Sequence, residues 1–255
     1  MAGSRGETQD ELAAVRAVGT SHLRGCSVKL AGYPARLAEV PITLASGGVR
    51  SVRLWEVEDL ERVVDRDALL REPGGIDPPY WALAWSGAHA VARALLSGRL
   101  LVGQDVLDLG TGLGLAGLAA ALAGARVTFA DLAPECAAFV EASARANGLP
   151  APDFRRIDFT SDDLGRTFDV VLAADVVYEP AHHAALARFL DLHVAPSGHA
   201  LLTDRLYAAT DTFFARLTAL GFVDERQECE APEMGETMRT VLHRLSRGKA
   251  GPQPR

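Results

Sequence analysis

VLDLGTGLGLAGLAAALAGA, residues 106–125, is the stretch that decides the fold. Two apolar residues lead to an acidic residue, Asp108, and then to glycines at positions 110, 112 and 114. An Ala/Leu-rich segment of helical length follows, and Gly124 is a typical helix stop. The pattern predicts a buried strand, a tight glycine turn and a helix whose first free N–H groups point at whatever lies over the turn.

Two ligand classes fit this turn. The glycines at 112, 114 and 117 match the GxGxxG pattern of dinucleotide-binding folds. Taken from the acidic residue onward, Asp108-Leu-Gly110-Thr111-Gly112-Leu-Gly114 resembles motif I, (D/E)xGxGxG, of the class I S-adenosylmethionine (SAM) methyltransferases. The carboxylate suits a ligand with a cationic amino group, and it would repel a pyrophosphate because like charges repel. A glycine-rich turn can also be purely structural, so this stretch alone leaves the alternatives open.

The composition is that of a globular protein and bounds the function. The chain has 255 residues, of which 48% are hydrophobic and 23% charged, with a formal net charge of −7. This length allows one large domain, or one domain with an extension. A negative chain without a Lys/Arg run gives no support to nucleic-acid binding. Cys26, Cys136 and Cys229 are far apart and form no CxxC motif, so neither a disulfide framework nor a zinc site is predicted.

No membrane association is predicted. The first residues, MAGSRGETQDEL, hold no apolar signal segment, and no run of 18 apolar residues occurs in the chain. We therefore expect a cytoplasmic protein, while the sequence carries no signal for its oligomeric state.

Breaker residues and composition predict three segments. Residues 1–75 form an N-terminal extension that closes on a Pro-Gly-Gly breaker, residues 76–248 form the core, and the polar tail 249–255 is expected to be disordered. The extension is predicted to hold a helix from Asp10, a small β-hairpin or β-meander over 26–56, and a second helix over 58–70.

Strands and helices alternate through the core. A helix is predicted at residues 88–96, before the opening unit. After that unit, apolar strands are predicted at residues 126–130, 153–157, 168–173 and 198–203, and helices at 134–147, 181–193 and 208–220. Two last strands, 222–227 and 237–245, are expected to pair in antiparallel fashion. We predict an α/β fold: a Rossmann-like, doubly wound, mostly parallel seven-stranded sheet with a C-terminal antiparallel hairpin, plus a small N-terminal α+β extension.

Acidic residues recur at the carboxyl ends of the predicted strands: Asp108, Asp131, Asp158 and Asp175. Open α/β sheets bind their ligands beyond these ends. A single acid at such a position is often a solvated loop residue or a helix cap, but four in register favour a site. Asp131 follows the first glycine by 21 positions (131 − 110), where a carboxylate can accept both ribose hydroxyls of a nucleoside. NAD and SAM both carry that ribose, so Asp131 does not discriminate between them.

Two further segments do discriminate. Asp175-Val-Val-Tyr178 matches a (D/E)xx(Y/F) motif after the fourth strand, and PYWALAWSGAH, residues 79–89, matches P-(Y/F)-W-A-x-x-W-P-G-G-Q with Ser, Ala and His at 86, 88 and 89. With these motifs the chain resembles methyltransferase family 16, the seven-β-strand lysine methyltransferases. It is most similar to the members that act on the β subunit of electron-transfer flavoprotein. The resemblance covers roughly residues 77–245 and implies SAM as the cofactor.

The resemblance also implies a set of site residues. Trp85 would line the cofactor pocket, the glycine turn would hold the methionine part, and Asp131 would bind the ribose. The full cofactor set is Trp85, Asp108, Gly110, Thr111, Gly112, Gly114, Asp131, Leu132, Asp158, Phe159 and Ala174. Asp158 and Phe159 would flank the adenine. Asp175 and Tyr178 would face the acceptor nitrogen.

The activity that the resemblance implies is direct methyl transfer to a nitrogen, with a lysine side chain of a protein as the acceptor. The sulfonium of SAM makes its methyl group electrophilic, so no metal is required. An apolar, aromatic pocket would lower the pKa of the acceptor lysine by desolvation. Asp175 would orient the amine and Tyr178 would shape the pocket. His182 and His183 follow closely and could touch a substrate or act as a base.

Three alternatives stay open. One is a methyltransferase that acts on a small molecule or a peptide natural product. Another is an NAD(P)-binding oxidoreductase, which Asp108 and the lack of a Tyr-x-x-x-Lys pair disfavour. The last is a non-enzymatic scaffold with residues 1–75 as a docking module, and the intact Asp131 and Asp175-x-x-Tyr178 argue against it.

Overall fold

A computed structural model describes residues 28–60, 79–99, 101–205 and 210–248. The helix predicted from Asp10, the tail and nearly all of the helix predicted over 58–70 lie outside the described residues. So does the predicted domain boundary near residue 75, which stays a prediction. No helix in the described ranges combines the length and apolar character needed to cross a bilayer.

The first described part of the chain is a small antiparallel sheet, as the sequence predicts. Its strands are β1 (Val28–Leu30), β2 (Tyr33–Thr43) and β3 (Val49–Val57), in the order β1-β2-β3. The backbone N–H of Trp55 donates to Ser143 Oγ at 2.9 Å, and that of Arg53 donates to Asn147 Oδ1 at 2.9 Å. Both acceptors lie at the C-terminal end of the core helix Cys136–Ala146. The outer strand β3 therefore holds the small sheet against the core.

The main sheet has seven strands and confirms the predicted fold class. They are β4 (Asp105–Leu109), β5 (Arg126–Asp131), β6 (Asp153–Arg156), β7 (Phe168–Ala173), β8 (Val194–Asp204), β9 (Phe222–Glu233) and β10 (Glu236–Arg247). Their order is β6-β5-β4-β7-β8-β10-β9. The first five strands of that order run parallel, and β10 is antiparallel to both β8 and β9. The order reverses direction at β4, where ligands of open sheets bind.

In the described ranges, five helices cover the sheet: α1 (Ser86–Ser97), α2 (Leu115–Leu122), α3 (Cys136–Ala146), α4 (His183–His193) and α5 (Thr210–Ala219). Successive residues of a strand point to opposite faces. Val106 of β4 therefore packs in the cluster that contains α1, α2, α3 and the small sheet, while Leu107 packs with α4 and α5. Helices on both faces explain why the parallel strands are apolar throughout.

Several element boundaries differ from the prediction by a few residues, and those of the last hairpin and of α1 bear on the site. The β9–β10 hairpin is longer than predicted: its pairing runs from Phe222 opposite Arg247 to Glu233 opposite Glu236. The far half of β9 is polar and forms a sheet edge, so no apolar alternation marks it in the sequence. Residues 80–82 form a single 3-10 turn, and α1 begins at Ser86, two residues earlier than the predicted Ala88.

Candidate active site

A cavity of about 620 Å³ lies over the carboxyl ends of β4, β5, β7 and β8, within the size range of small-molecule sites. All the residues predicted for the site line it: Trp85, Asp108, Gly110, Thr111, Gly112, Gly114, Asp131, Leu132, Asp158, Phe159, Ala174, Asp175 and Tyr178. The cavity has two sides that differ in construction. The glycine-turn side consists of residues 108–114 and Asp131, and the aromatic side of Tyr80, Trp85, Asp175, Tyr178 and Arg205.

Backbone conformation explains the glycines of the turn. Gly110, Gly112 and Gly114 have φ of 66°, 53° and 89°, in the left-handed region that favours glycine. A Cβ on Gly110 would also lie 2.6 Å from Val176 Cγ1, and one on Gly114 would lie 2.9 Å from Val140 Cγ2. The turn is therefore closed to larger residues on two independent grounds.

Asp108 braces this turn from inside. It is 2% exposed, and its Oδ2 accepts hydrogen bonds from Thr111 Oγ1 at 2.5 Å and from the N–H of Gly117 at 3.0 Å. Burial raises the pKa of the Asp108 carboxyl to about 7, against the lowering effect of these two bonds. A Cβ on Gly117 would lie 2.4 Å from Phe129. Packing alone thus accounts for Gly117, the last glycine of the dinucleotide pattern.

Asp131, the last residue of β5, faces the cavity from the neighbouring strand. Its Oδ2 accepts from the N–H of Gly112 at 2.8 Å, and its Oδ1 accepts from the N–H of Ala133 at 3.0 Å. Burial raises the pKa of this carboxyl. Each oxygen of a carboxylate has two lone pairs, so Asp131 can still accept a hydrogen bond from a ligand hydroxyl.

Asp158 and Phe159 form the cavity wall beyond β6. Asp158 Oδ1 accepts from Thr160 Oγ1 at 2.6 Å and from the Thr160 N–H at 2.9 Å, and these bonds lower the pKa of the carboxyl. The Phe159 ring meets His182 edge-on, with ring centres 6.0 Å apart. His182 lines the cavity, whereas His183 is 3% exposed and its Nε2 lies 3.0 Å from the Val177 carbonyl oxygen. Of the two histidines, only His182 can therefore touch a ligand.

The two tryptophans of the 79–89 segment have different surroundings. The Trp81 ring lies 5.2 Å from Tyr33 and 5.5 Å from Phe139, between the small sheet and α3. Both tryptophans line the cavity, but Trp85 belongs to its aromatic side and donates its Nε1–H to the Tyr80 carbonyl at 2.7 Å. Tyr80 and Tyr178 have ring centres 5.5 Å apart, so Tyr80, Trp85 and Tyr178 form one aromatic wall.

Asp175 lies after β7 in a conformation that few non-glycine residues adopt, with φ of 53°. Its Oδ2 accepts from the N–H of Gly87 at 2.8 Å, and its own N–H donates to Thr203 Oγ1 at 3.0 Å. A Cβ on Gly87 would lie 2.5 Å from Asp175 Oδ2, so only glycine admits this approach. Burial raises the pKa of Asp175 to about 6, and the charge of Arg205 opposes that effect.

Sequence reasoning missed Arg205 and Glu233. Glu233 Oε2 accepts from the Ser86 N–H at 2.9 Å and forms an ion pair with Arg205 Nη2. The Arg205 guanidinium carbon lies 5.0 Å from the centre of the Trp85 ring, and Nε lies 3.7 Å from Asp175 Oδ1. Arg205 directly follows β8, so the strand-end rule that selects the aspartates would have found it. Glu233 lies on the unpredicted part of β9 and has no such signal.

His89, a departure from the family pattern, does not line this cavity. It lines a second one of about 750 Å³ between the small sheet and the tip of the β9–β10 hairpin. Burial lowers the pKa of His89. No cluster of His, Cys, Asp and Glu that could hold a metal ion occurs in the described ranges.

A protein-family model and several known proteins match part of this chain. A family model described as lysine methyltransferase matches residues 87–219, which is 133 of 255 residues (219 − 87 + 1). The electron transfer flavoprotein beta subunit lysine methyltransferase of Mus musculus is 35% identical over 104 residues, 40% of this chain and 40% of that protein. The chain therefore spans less than half the length of that relative.

Protein N-lysine methyltransferase METTL21A of Xenopus tropicalis is 34% identical over 151 residues, 55% of this chain and 68% of that protein. Among solved structures, N-methyltransferase NodS from Bradyrhizobium japonicum WM9, in complex with S-adenosyl-L-homocysteine, is similar with a TM-score of 0.52. Its sequence identity is 20%, and the match covers 72% of this chain and 98% of NodS, which shows a shared fold. The family match over half the sequence and the glycine turn, Asp131 and Asp175–Tyr178 in one cavity agree: the chain belongs to the lysine methyltransferase family.

Proposed function

We propose that this protein transfers a methyl group from SAM to the side-chain nitrogen of a lysine in a partner protein. The observation that carries the proposal is one continuous cavity, in a chain of the lysine methyltransferase family, that joins a glycine turn to an aromatic wall with a buried carboxylate. The mouse relative is a lysine methyltransferase of the electron transfer flavoprotein beta subunit, and the frog relative is a protein N-lysine methyltransferase.

The residues of the glycine-turn side fit SAM. The left-handed turn from Gly110 to Gly114 brings bare backbone to the cavity, and the start of α2 behind it offers free N–H groups. Asp131 keeps lone pairs for the ribose hydroxyls, and Phe159 offers an apolar face to the adenine. When bound, SAM supplies an electrophilic methyl group on a sulfonium.

The aromatic side fits an amine acceptor. Tyr80, Trp85 and Tyr178 line the approach with their rings, and Tyr80 and Tyr178 are 45% and 50% exposed at its mouth. An amine packed against these rings loses part of its hydration, which favours the neutral amine over the ammonium. Asp175 Oδ1 is buried and accepts no hydrogen bond from any residue that the structure describes, so an acceptor N–H that reaches it displaces no existing donor. With a pKa of about 6, Asp175 is ionised at neutral pH and able to accept that bond. The residues thus position a lone pair, and alignment of this kind supplies about 7–11 kcal/mol in favourable intramolecular reactions.

The net charge of the chain supports a basic partner. A formal charge of −7 attracts lysine-rich segments and raises their encounter rate, although such a field steers more than it selects.

The test is methyl transfer to proteins from a strain that lacks the gene. The purified protein is incubated with isotopically labelled SAM and a lysate of that strain, and labelled peptides are identified by mass spectrometry. We expect the label on lysine ε-nitrogens, at a rate that rises with pH as the bound amine loses its proton. The Asp175→Asn variant serves as the matched control for other enzymes in the preparation.

The opposite result has a defined meaning. If the label reaches only small metabolites and never protein, the lysine proposal is wrong and the small-molecule methyltransferase takes its place. Label on a protein nitrogen other than lysine keeps the enzyme class and changes the acceptor.

A further inference from the structure

Arg205 is held at the aromatic side by contacts with three residues. Its guanidinium lies over the Trp85 ring at 5.0 Å and forms an ion pair with Glu233 through Nη2, and Nε points toward Asp175. Its side chain is 15% exposed and that of Asp175 is 6% exposed, so solvent screens their interaction only weakly.

Arg205 and Asp175 form an ion pair whose nearest atoms are farther apart than a hydrogen bond allows. Arg205 Nε lies 3.7 Å from Asp175 Oδ1, so the two charges attract while the lone pairs of Oδ1 stay free. The other oxygen, Oδ2, is committed to the Gly87 N–H. Arg205 therefore stabilises the ionised carboxylate without occupying the atom that an acceptor would use.

We propose that Arg205 is a positioning residue: held by Glu233 over the Trp85 ring, it keeps the Asp175 carboxylate ionised and leaves the lone pairs of Oδ1 unused, so that the acceptor amine can donate to them. This inference rests on the proposed function. A lysine at this position would keep the charge but lose the planar contact with Trp85 and the fork that reaches Glu233.

The neighbouring charges set the direction in which each substitution should shift the pKa of Asp175. Asp175 feels two charged side chains: Arg205, which lowers its pKa, and Glu233, which raises it. His89 on α1 lines the second cavity together with Glu233, and burial lowers its pKa while the charge of Glu233 raises it. Removing the cation should therefore raise the pKa of Asp175, and removing the second carboxylate should lower it.

The first measurement is the titration of the Asp175 carboxyl by ¹³C NMR in the full chain without ligand, with its resonance assigned from Asp175→Asn. We expect Arg205→Gln to raise the pKa of Asp175 by about 1 or more, since an opposite charge at this distance is worth that much. Glu233→Gln should lower it, and Arg205→Lys should leave it near the wild type. Arg239→Gln is the matched control, because Arg239 forms an exposed pair with Glu228 far from the cavity.

The second measurement is labelled methyl transfer to lysate proteins as a function of pH, with SAM affinity followed by calorimetry. In Arg205→Gln the acidic limb of the rate profile should move up by as much as the titration does, so that activity recovers at high pH. SAM affinity should stay within about threefold, since the cofactor contacts lie mainly on the other side. A purely structural arginine would instead lower the rate equally at every pH.

The outcomes separate the two proposals. If the pKa of Asp175 is the same in Arg205→Gln as in the wild type, the inference is wrong whatever the acceptor is. If Arg205→Gln does not fold, an equal pKa of Asp175 in Glu233→Gln and the wild type overturns the inference instead. A shifted titration with an unshifted rate profile overturns the positioning role while the proposed function stands. If the wild type labels no protein, the proposed function fails, and the titration still decides the Arg205–Asp175 coupling.

Discussion

The two sides of the cavity are built from the chain in different ways. On the glycine-turn side, the residues joined by side-chain hydrogen bonds are 3, 9 and 19 positions apart in the sequence. On the aromatic side, Asp175 binds a residue 88 positions away, and Glu233 binds one 147 positions away. The first side is a local motif that one strand–turn–helix unit nearly completes, whereas the second exists only after distant segments have packed together.

Asp175→Asn tests the aromatic side and should have the largest effect. Asparagine can still accept the Gly87 N–H but loses the charge that holds the acceptor, so we expect turnover to fall roughly 100-fold or more. SAM affinity, which depends mainly on the glycine-turn side, should change little. Steady-state rates and calorimetry on the same preparation measure both, with Asp153→Asn, an exposed strand-end carboxylate, as the control. Equal losses in rate and affinity would contradict the division into two sides.

The two tryptophans should separate folding from binding. Trp81 packs between Tyr33 and Phe139, so Trp81→Ala should lower the free energy of unfolding by about 3 kcal/mol through loss of buried contacts. Trp85→Ala should weaken SAM binding, by about 0.5–2 kcal/mol if its ring faces the sulfonium. Thermal melts and SAM titrations of both variants measure this. The reverse pattern would mean that the two rings have exchanged roles.

Asp131→Ala tests the glycine-turn side. We expect SAM binding to weaken by ~1.5–3 kcal/mol, the range for a hydrogen bond to a charged group, while Asp153→Ala leaves it unchanged. Part of the loss would come through the turn itself, because Asp131 also binds the Gly112 N–H. Calorimetry that finds equal SAM affinity in wild type and variant would remove Asp131 from the ribose site.

The smallest expected effect concerns pH and the Asp108 brace. Burial raises the pKa of Asp108 to about 7 in the folded state, above the ordinary value near 4, so folding favours its protonated form. Its contribution to stability is therefore present below pH ~4 and is lost as the pH rises toward 7. Asp108→Asn should show a smaller fall in Tm between pH 5 and 8 than the wild type does. Asp158→Asn is the comparison, because the pKa of Asp158 is lowered and its titration lies below that window. Parallel Tm curves for Asp108→Asn and the wild type would show that Asp108 is ionised throughout.

The difference between the two sides of the cavity also explains which parts of the site could be predicted from the sequence. The apolar strands, the glycine turn and Asp131 all follow from patterns a few residues long, because the interactions that require them are local. The motif Asp175–Tyr178 was found by resemblance, and its position after β7 agrees with the strand-end rule.

The remainder of the site depends on tertiary contacts that no local pattern records. α1 begins after Trp85, which has no side-chain group to cap a helix, and its N–H groups at Ser86 and Gly87 are bound by Glu233 and Asp175. This is why the predicted start of α1 came two residues late. Glu233 itself lies near the hairpin turn, on a polar sheet edge where burial leaves no periodic signal.

The backbone at Asp175 has a consequence for how this position can vary. Its φ of 53° is strained for any side chain with a Cβ, and glycine would relieve that strain while removing the carboxylate. The carboxylate also accepts the Gly87 N–H, a bond that asparagine can keep and glycine cannot. Asparagine at position 175 should therefore leave the abundance of the protein in cells nearly unchanged while it lowers the rate of turnover, whereas glycine exchanges relief of strain for an unsatisfied N–H at the start of α1. Persistence of aspartate rather than asparagine in a lineage would report selection for turnover.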